Sequence, residues 1–272
     1  MKLPVRSFLS AAPGNILLAF DFAQAESWVT AYLANCSAMI HALQTGDIHS
    51  TSARVLYDLH PDATPTKDER YMAKKFNHSF NYGTSPMMIA HMVNVESINP
   101  PYITLTVAQA RILHEKMKLL YHEIPKWWLD IQRELSQTRL LRTPYGRQRS
   151  FLGAWGDGLF KEAYSYIPQS TVADHCNGVV QPELGIAGGM LEIYRQFVKP
   201  GRDIKIINTA HDSVILELPR QLESELLEGC YRLLHRPIIV NGERFTIPVD
   251  AEVGLAWGEL EVIPKDTLSR FD

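Results

Sequence analysis

The chain has 272 residues, 46% of them hydrophobic and 21% charged, with a formal net charge of −3, which is the profile of an ordinary globular protein with a sizeable core. No apolar run reaches the length of a membrane span, and the N-terminal stretch, interrupted by Ser and Pro, does not read as a signal peptide. Cys36, Cys176 and Cys230 are odd in number and form no CxxC pair, which argues against a disulfide framework or a zinc site and suits a reducing cytoplasm.

Ile16–Phe20 is a short apolar run ending at Asp21 and predicts a buried strand. A helix is expected over about Gln24–Leu33, and another after Asp47, which is suited to cap it. Thr66-Lys67-Asp68-Glu69 has the form of a capping box, predicting a helix to about Phe80. Within it Met72, Phe76 and Phe80 recur every four residues as an apolar stripe. Arg70, Lys74 and His78 recur at the same interval on another face, drifting by only roughly 40° per step. Helices follow at about 106–121, opened by a Thr106 to Gln109 box, and at 124–137. A strand, a Pro-Tyr-Gly turn and a return strand occupy 138–151. A helix is expected from near Gln169, with Gly178, Pro182 and the Gly185–Gly189 region breaking it. Residues 204–210 and 214–219 predict two strands around a His211-Asp212-Ser213 turn. A helix over about 220–234 and a last strand pair close the chain. Few strands among many helices predict an α+β fold with a small sheet.

The chemistry gathers at two strand ends. If the strand ending at Asp21 lies beside the hairpin carrying Asp212, the carboxylates converge, repel and need cations between them, and hard oxygen donors favour Mg²⁺. Two such ions stabilise both the attacking and the leaving oxygen of a phosphoryl transfer, and a helix presenting Arg70 and Lys74 then holds a triphosphate. On spacing alone a plainer reading is preferable: Asp21 caps a helix and Asp212 sits in a turn. Arg133, Arg139, Arg142, Arg147 and Arg149 form a basic strip opposed only by Glu134, which suits phosphates but equally a solvated face.

Ordered motifs change that balance. DFAQAE (21–26) resembles the first motif of family A DNA polymerases, usually DYSQIE. RYMAKKFNHSFNYG (70–83) resembles the family's R-x3-K-x7-YG finger helix, and HDS (211–213) its HDE motif. Weaker resemblances fill the gaps: GDIH (46–49), TPYGRQR (143–149), QSTVAD (169–174) and PVDAEVG (248–254). The resemblance implies a palm with a small antiparallel sheet over 1–48 and 138–272, and helical fingers over 49–137. It implies that Asp21 and Asp212, with the carbonyl of Phe22, ligate two Mg²⁺ ions. Arg70, Lys74 and His49 are then expected on the incoming triphosphate, with Lys74 also donating a proton to pyrophosphate. Gln24, Glu26, His78 and Tyr82 complete the nucleotide site, Glu26 excluding a ribose 2′-hydroxyl and Tyr82 supporting it. Arg147, Arg149, Lys161, Gln169 and His211 are expected on primer–template DNA, in contacts blind to sequence.

Departures from the family pattern carry their own expectations. His78 stands where the family has Phe or Tyr, so sugar discrimination and chain-terminator handling should differ from those of a Phe-bearing enzyme. Ser213 replaces the Glu beside Asp212, and Lys161 and Ser165 replace Arg and Asn. Glycines between Asp174 and Asp212 suggest an inserted loop. Leu3-Pro4-Val5-Arg6 faintly resembles an upstream LPxR stretch, with Arg6 at the primer end. The implied activity is template-directed addition of dNTPs to a primer, with a second polypeptide supplying thumb and exonuclease parts, in the cytoplasm of a bacterial or virus-infected cell. The alternatives are a non-catalytic DNA-binding or scaffolding subunit and an RNA polymerase relative, the latter opposed by Glu26.

Overall fold

The computed structural model describes residues 5–96 and 104–272; Leu3 and Pro4 of the LPxR-like stretch lie outside them. The chain runs through β1 (Asn15–Phe22), then helices α1 (Ala25–Leu33), α2 (Ser37–Thr45), α3 (Ile48–Leu56) and α4 (Lys67–Asn81). Helices α5 (Pro86–Glu96), α6 (Val107–Leu120) and α7 (Glu123–Thr138) lead to the hairpin β2 (Leu140–Arg142) and β3 (Gln148–Ser150). Next come α8 (Asp157–Asn177), α9 (Gly189–Phe197), β4 (Lys205–Ala210), β5 (Ser213–Pro219) and α10 (Glu223–Leu234). Four strands end the series: β6 (Pro237–Val240), β7 (Glu243–Thr246), β8 (Val249–Gly254) and β9 (Glu261–Val262). The mixed fold with a small antiparallel sheet agrees with the sequence.

These elements form two compact units. The first comprises Met1–Ala25, Pro144–Arg147 and Gln169–Asp272. Its sheet has the order β4-β5-β1-β8-β9, so β1 is central, antiparallel to β5 and β8. Ile16, Leu17 and Leu18 are buried at 0–1% exposure because strands flank β1 on both sides and α10 packs on it; the strand opens to solvent at Asp21.

The glycine-rich stretch between α8 and α9 is a loop, and it contains a tight backbone crossing that leads into α9. Gly178 and Gly189 both adopt positive φ (95° and 66°), and a Cβ on Gly189 would lie 2.6 Å from the Cα of Gly178. Only residues without a side chain permit that approach. The Arg236 side chain, 4% exposed, fastens the crossing by donating to the carbonyls of His175 (2.8 Å), Val179 (3.0 Å) and Ile186 (3.0 Å).

The second unit, Glu26–Thr143 with Gln148–Pro168, is mainly helical. Both capping boxes form: Thr66 with Glu69 opens α4, and Thr106 with Gln109 opens α6. The apolar stripe of α4 is buried, with Met72, Phe76 and Phe80 at 0–2% exposure, while Arg70, Lys74 and His78 are exposed. A second core gathers Trp127, Ile131, Leu135, Leu141, Phe151 and Tyr164.

Three expectations need correction. The helix predicted from Gln169 begins twelve residues earlier, at Asp157, and contains Pro168. Proline removes one ladder hydrogen bond, yet the buried Tyr164, Tyr166 and Ile167 before it and Thr171 and Val172 after it keep the helix in place through packing. Helices α2, α5 and α9 were not expected. The closing strand pair is in fact four strands, a β6–β7 hairpin and the β8 and β9 strands of the main sheet.

Two buried histidines make stability depend on acid. Burial pushes the His175 imidazole down to about 3; its Nδ1 lies 2.6 Å from the Tyr145 hydroxyl. His49 is pushed down to about 4, first by burial and then by Arg70, Lys74 and His78, against the pull of Asp47. An unfolded histidine takes up its proton near pH 6.5 and the folded ones resist, so the unfolded chain binds more protons as the pH falls between these values. Stability is therefore full above about pH 6.5 and declines through the window down to about pH 4 for His49 and about pH 3 for His175. Thermal melts of the wild type and of His49→Gln should diverge there, the variant losing less stability, by an amount on the order of 3 kcal/mol. Parallel curves would contradict this.

Candidate active site

In the first unit, β1 carries Asp21 to the edge of the sheet. Antiparallel register sets Asp21 opposite Ser213 of β5 and opposite Asp250 of β8. The backbone N–H of Phe22 donates to the carbonyl of Asp212 at 3.1 Å, tying the residue after Asp21 to the β4–β5 turn. His211 takes a positive φ of 58° in that two-residue turn, a conformation that costs a non-glycine residue roughly 1 kcal/mol. Two aspartates remote in sequence thus start from neighbouring backbone positions. The buried Cys176 thiol senses both: it is pushed up to about 12 by burial first, then by the Asp212 and Asp21 carboxylates.

The cavity above this edge is about 500 Å³ and is lined by Asp21, Asp212, Ser213, Asp250, Glu252 and Arg6, among others. Four carboxylates face one guanidinium, and that guanidinium stacks 4.9 Å from the Trp257 ring. Asp250 and Glu252 had no role assigned from the sequence. Their signal was the strand alternation of Val249-Asp250-Ala251-Glu252, which buries Val249 and Ala251 and turns the acids to the other face. Lys265 Nζ lies 3.5 Å from Asp250. Among the described residues no three His, Cys, Asp or Glu side chains converge as a metal cage. A magnesium ion suits such a place, since it commonly binds through one or two carboxylates and takes its remaining oxygens from water and phosphate. Phe22 could contribute only its carbonyl, since its side chain is buried against the His175 ring at 5.2 Å. Gln24 bends the chain out of β1 with φ 56°.

In the second unit, α4 presents the cationic row. Arg70 Nε donates to Asp47 at 2.6 Å, and Asp47 caps α3 by accepting from the backbone of His49 and Ser50. Burial pushes the Asp47 carboxyl up, but hydrogen bonds from Arg70 and Ser50 and the Arg70 charge outweigh it and hold the group below the ordinary carboxylate range. With Nε engaged, the terminal nitrogens of Arg70 are left for other acceptors. His49 sits in a buried network: Tyr121 and Ser52 hydroxyls at 2.9 Å, Ser52 to Asn77 Oδ1 at 2.8 Å, Asn77 Nδ2 to His49 Nδ1 at 3.1 Å. Because Asn77 Oδ1 takes the Ser52 hydroxyl, its amide faces His49 Nδ1, which accepts and leaves the proton on Nε2. Lys74 is exposed one turn from Arg70. His78 lies 3.9 Å from Glu26 and 5.2 Å from the Tyr82 ring. After Tyr82 the helix stops at Gly83, with φ 63°, where a Cβ would press on Tyr164 at 2.9 Å.

The residues expected on DNA are placed less simply. In the first unit Arg147 is bound to the buried carboxylate of Asp174, with Nε at 3.0 and 3.1 Å. His211 is exposed at the turn and Gln169 is half-buried in α8. In the second unit Arg149 pairs with Glu162 and stacks 4.9 Å from Phe151, while Lys161 is half-buried in α8. The arginines of the basic strip are largely held by the protein itself, since Arg133 pairs with Asp130, Arg139 binds the carbonyl of Gly153 and Arg142 reaches the side-chain oxygen of Gln148.

A family model described as DNA polymerase family A matches residues 1–259. DNA polymerase I B, mitochondrial, of Oryza sativa subsp. japonica is 27% identical over 286 residues, covering 94% of this chain and 26% of the relative. DNA polymerase I of Aquifex aeolicus is 25% identical over 227 residues, covering 82% of this chain and 36% of the relative. The chain thus spans about a quarter to a third of the length of these curated relatives. A solved structure, the POL domain of Pol1 from M. smegmatis in complex with DNA primer-template and dNTP, is similar with a TM-score of 0.76 at 18% identity. That match covers 93% of this chain and 42% of the other and shows a shared fold.

Proposed function

The chain belongs to DNA polymerase family A, and we propose that it is the catalytic part of a DNA-directed DNA polymerase that adds deoxynucleotides to a primer 3′ end. What supports this most is the register of β1, which sets Asp21 against the β4–β5 turn that carries Asp212. In this reading Asp21 and Asp212, with the Phe22 carbonyl, hold two Mg²⁺ ions. When bound, these supply positive charge at the attacking and leaving oxygens. Arg70 offers its terminal nitrogens to phosphate oxygens, fixed in direction by Asp47. His49, neutral at physiological pH, donates from Nε2 to the triphosphate. Lys74 adds charge there and gives a proton to the leaving pyrophosphate. Gln24 and Tyr82 bound the nucleotide, and Glu26 excludes the ribose 2′-hydroxyl. The functional division is palm over 1–48 and 138–272 and fingers over 49–137.

Arg147, Arg149, Lys161, Gln169 and His211 are assigned to the primer–template. Because most arginines of the strip already have protein partners, few phosphates are neutralised and binding is weak. We assign the remaining grip to a second polypeptide. The setting is the cytoplasm of a bacterial or virus-infected cell.

The test is single-nucleotide extension of a labelled primer–template in Mg²⁺, each dNTP offered alone, with and without the product of the adjacent reading frame. Only the dNTP complementary to the template is incorporated, and EDTA stops the reaction. Folded chain that extends no primer in either setting contradicts the proposal; DNA binding without extension points to a scaffolding subunit.

A further inference from the structure

We propose that Asn77 is a positioning residue for the incoming nucleotide: with Ser52 and Tyr121 behind it, it holds His49 as a hydrogen-bond donor toward the triphosphate. Asn77 is 0% exposed, so its effect on the nucleotide passes through the histidine. This deepens the function proposed above and rests on its assignment of His49 to the triphosphate.

The geometry lies within the second unit alone. Asn77 comes from α4, His49 and Ser52 from α3, and Tyr121 follows the last residue of α6; all four are buried. Two neighbours settle which way the Asn77 amide points. Its Oδ1 accepts the Ser52 hydroxyl at 2.8 Å. Its Nδ2 lies 3.5 Å from the carbonyl of Ile48, a group that can only accept. The nitrogen, not the oxygen, therefore meets His49 Nδ1, at 3.1 Å. Ser52 is held in turn, because its hydroxyl lies 2.9 Å from that of Tyr121 and, having given its proton to Asn77, accepts the tyrosine's.

A neutral imidazole carries one ring proton, and its position decides whether the outward nitrogen donates or accepts. His49 is neutral at physiological pH, since burial first and then Arg70, Lys74 and His78 push it down to about 4. An accepting Nε2 would meet phosphate oxygens lone pair to lone pair. Asn77 removes that state, because its N–H donates to Nδ1 and leaves the proton on Nε2. The same bond fixes the plane of the ring. Packing alone gives no reason for this chain of polar groups. Phenylalanine for Tyr121, alanine for Ser52 and leucine for Asn77 would fill similar space with nothing polar to desolvate. The arrangement also has a parallel beside it. Asp47, which caps α3, directs Arg70 from behind, as Asn77 directs His49.

Long-range proton–nitrogen NMR of the isotope-labelled chain reads the tautomer of His49 without any turnover. Near neutral pH the wild type should show Nδ1 bare and Nε2 protonated, with the two nitrogen shifts far apart. In Asn77→Leu the shifts should move toward each other as both tautomers are sampled. In single-turnover extension the same variant should need roughly threefold to tenfold more dNTP for half its maximal rate, the scale of one hydrogen bond net of water. Its rate at saturating dNTP should stay within about twofold of wild type. A merely structural defect would lower the amount of extending enzyme and leave the dNTP requirement and the tautomer as they are. His49→Phe should raise the dNTP requirement at least as far. A protonated Nδ1 in the wild type overturns the proposal, and that spectrum decides even where a variant does not fold. Asn77→Leu with an unchanged tautomer or an unchanged dNTP requirement, while His49→Phe binds dNTP more weakly, overturns the role of Asn77 and leaves the assignment of His49 intact. His49→Phe with wild-type dNTP requirement overturns that assignment and this proposal with it.

Discussion

Asp21→Asn and Asp212→Asn should each reduce single-nucleotide extension by a factor on the order of 10³ or more, while the melting temperature stays level or rises. On the proposed function the two effects part, because the side chains assigned to the reaction also stand among like charges. Asp21, Asp212, Asp250 and Glu252 line one cavity with Arg6 as the cation among its lining side chains, and like charges held together repel. Replacing one carboxylate by an amide of equal size removes repulsion and leaves packing alone. Loss of extension accompanied by loss of folding would mean that these aspartates are structural, which is the plainer reading of a helix cap and a turn. Equal activity would remove the metal site from this sheet edge.

Arg236→Met should lower stability by roughly 3 kcal/mol, because it removes the donor shared by the buried carbonyl of His175 and the part-buried carbonyls of Val179 and Ile186. In thermal melts this is a drop of roughly 10 °C. The guanidinium binds His175, Val179 and Ile186 around the end of α8, and Gly178 and Gly189 cross beside it. His175 in turn packs on Phe22, the neighbour of Asp21. The loop that makes this crossing therefore supports the strand carrying the acids. A variant that melts with the wild type would show that water or rearrangement satisfies those carbonyls and that the crossing is not held by Arg236.

Local chemistry wrote much of this fold into the sequence. The apolar run before Asp21, the boxes at Thr66 and Thr106 and the two faces of α4 each depend on residues within a few positions of one another, and each forms as expected. What escaped depends on distant partners. The start of α8 lies beyond Pro168, a residue that argues for a break until the packing of Tyr164 and Tyr166 is known. Arg147 and Arg149 look alike in sequence, yet one is fixed by a buried aspartate 27 positions away and the other by a glutamate 13 positions away. Asp250 and Glu252 became neighbours of Asp21 only through the pairing of β8 with β1. Capping and amphipathicity are short-range and legible; ion pairs and strand order are long-range and need the folded chain.

Cation binding at the β1 edge can be measured without any turnover. Mn²⁺ titration of the purified chain, followed by electron paramagnetic resonance, should show bound manganese in the wild type and an affinity at least about tenfold weaker in both Asp21→Asn and Asp212→Asn, since even outer groups of a metal site commonly cost that much. Manganese bound equally by wild type and both variants would contradict the assignment of these two aspartates as the metal ligands.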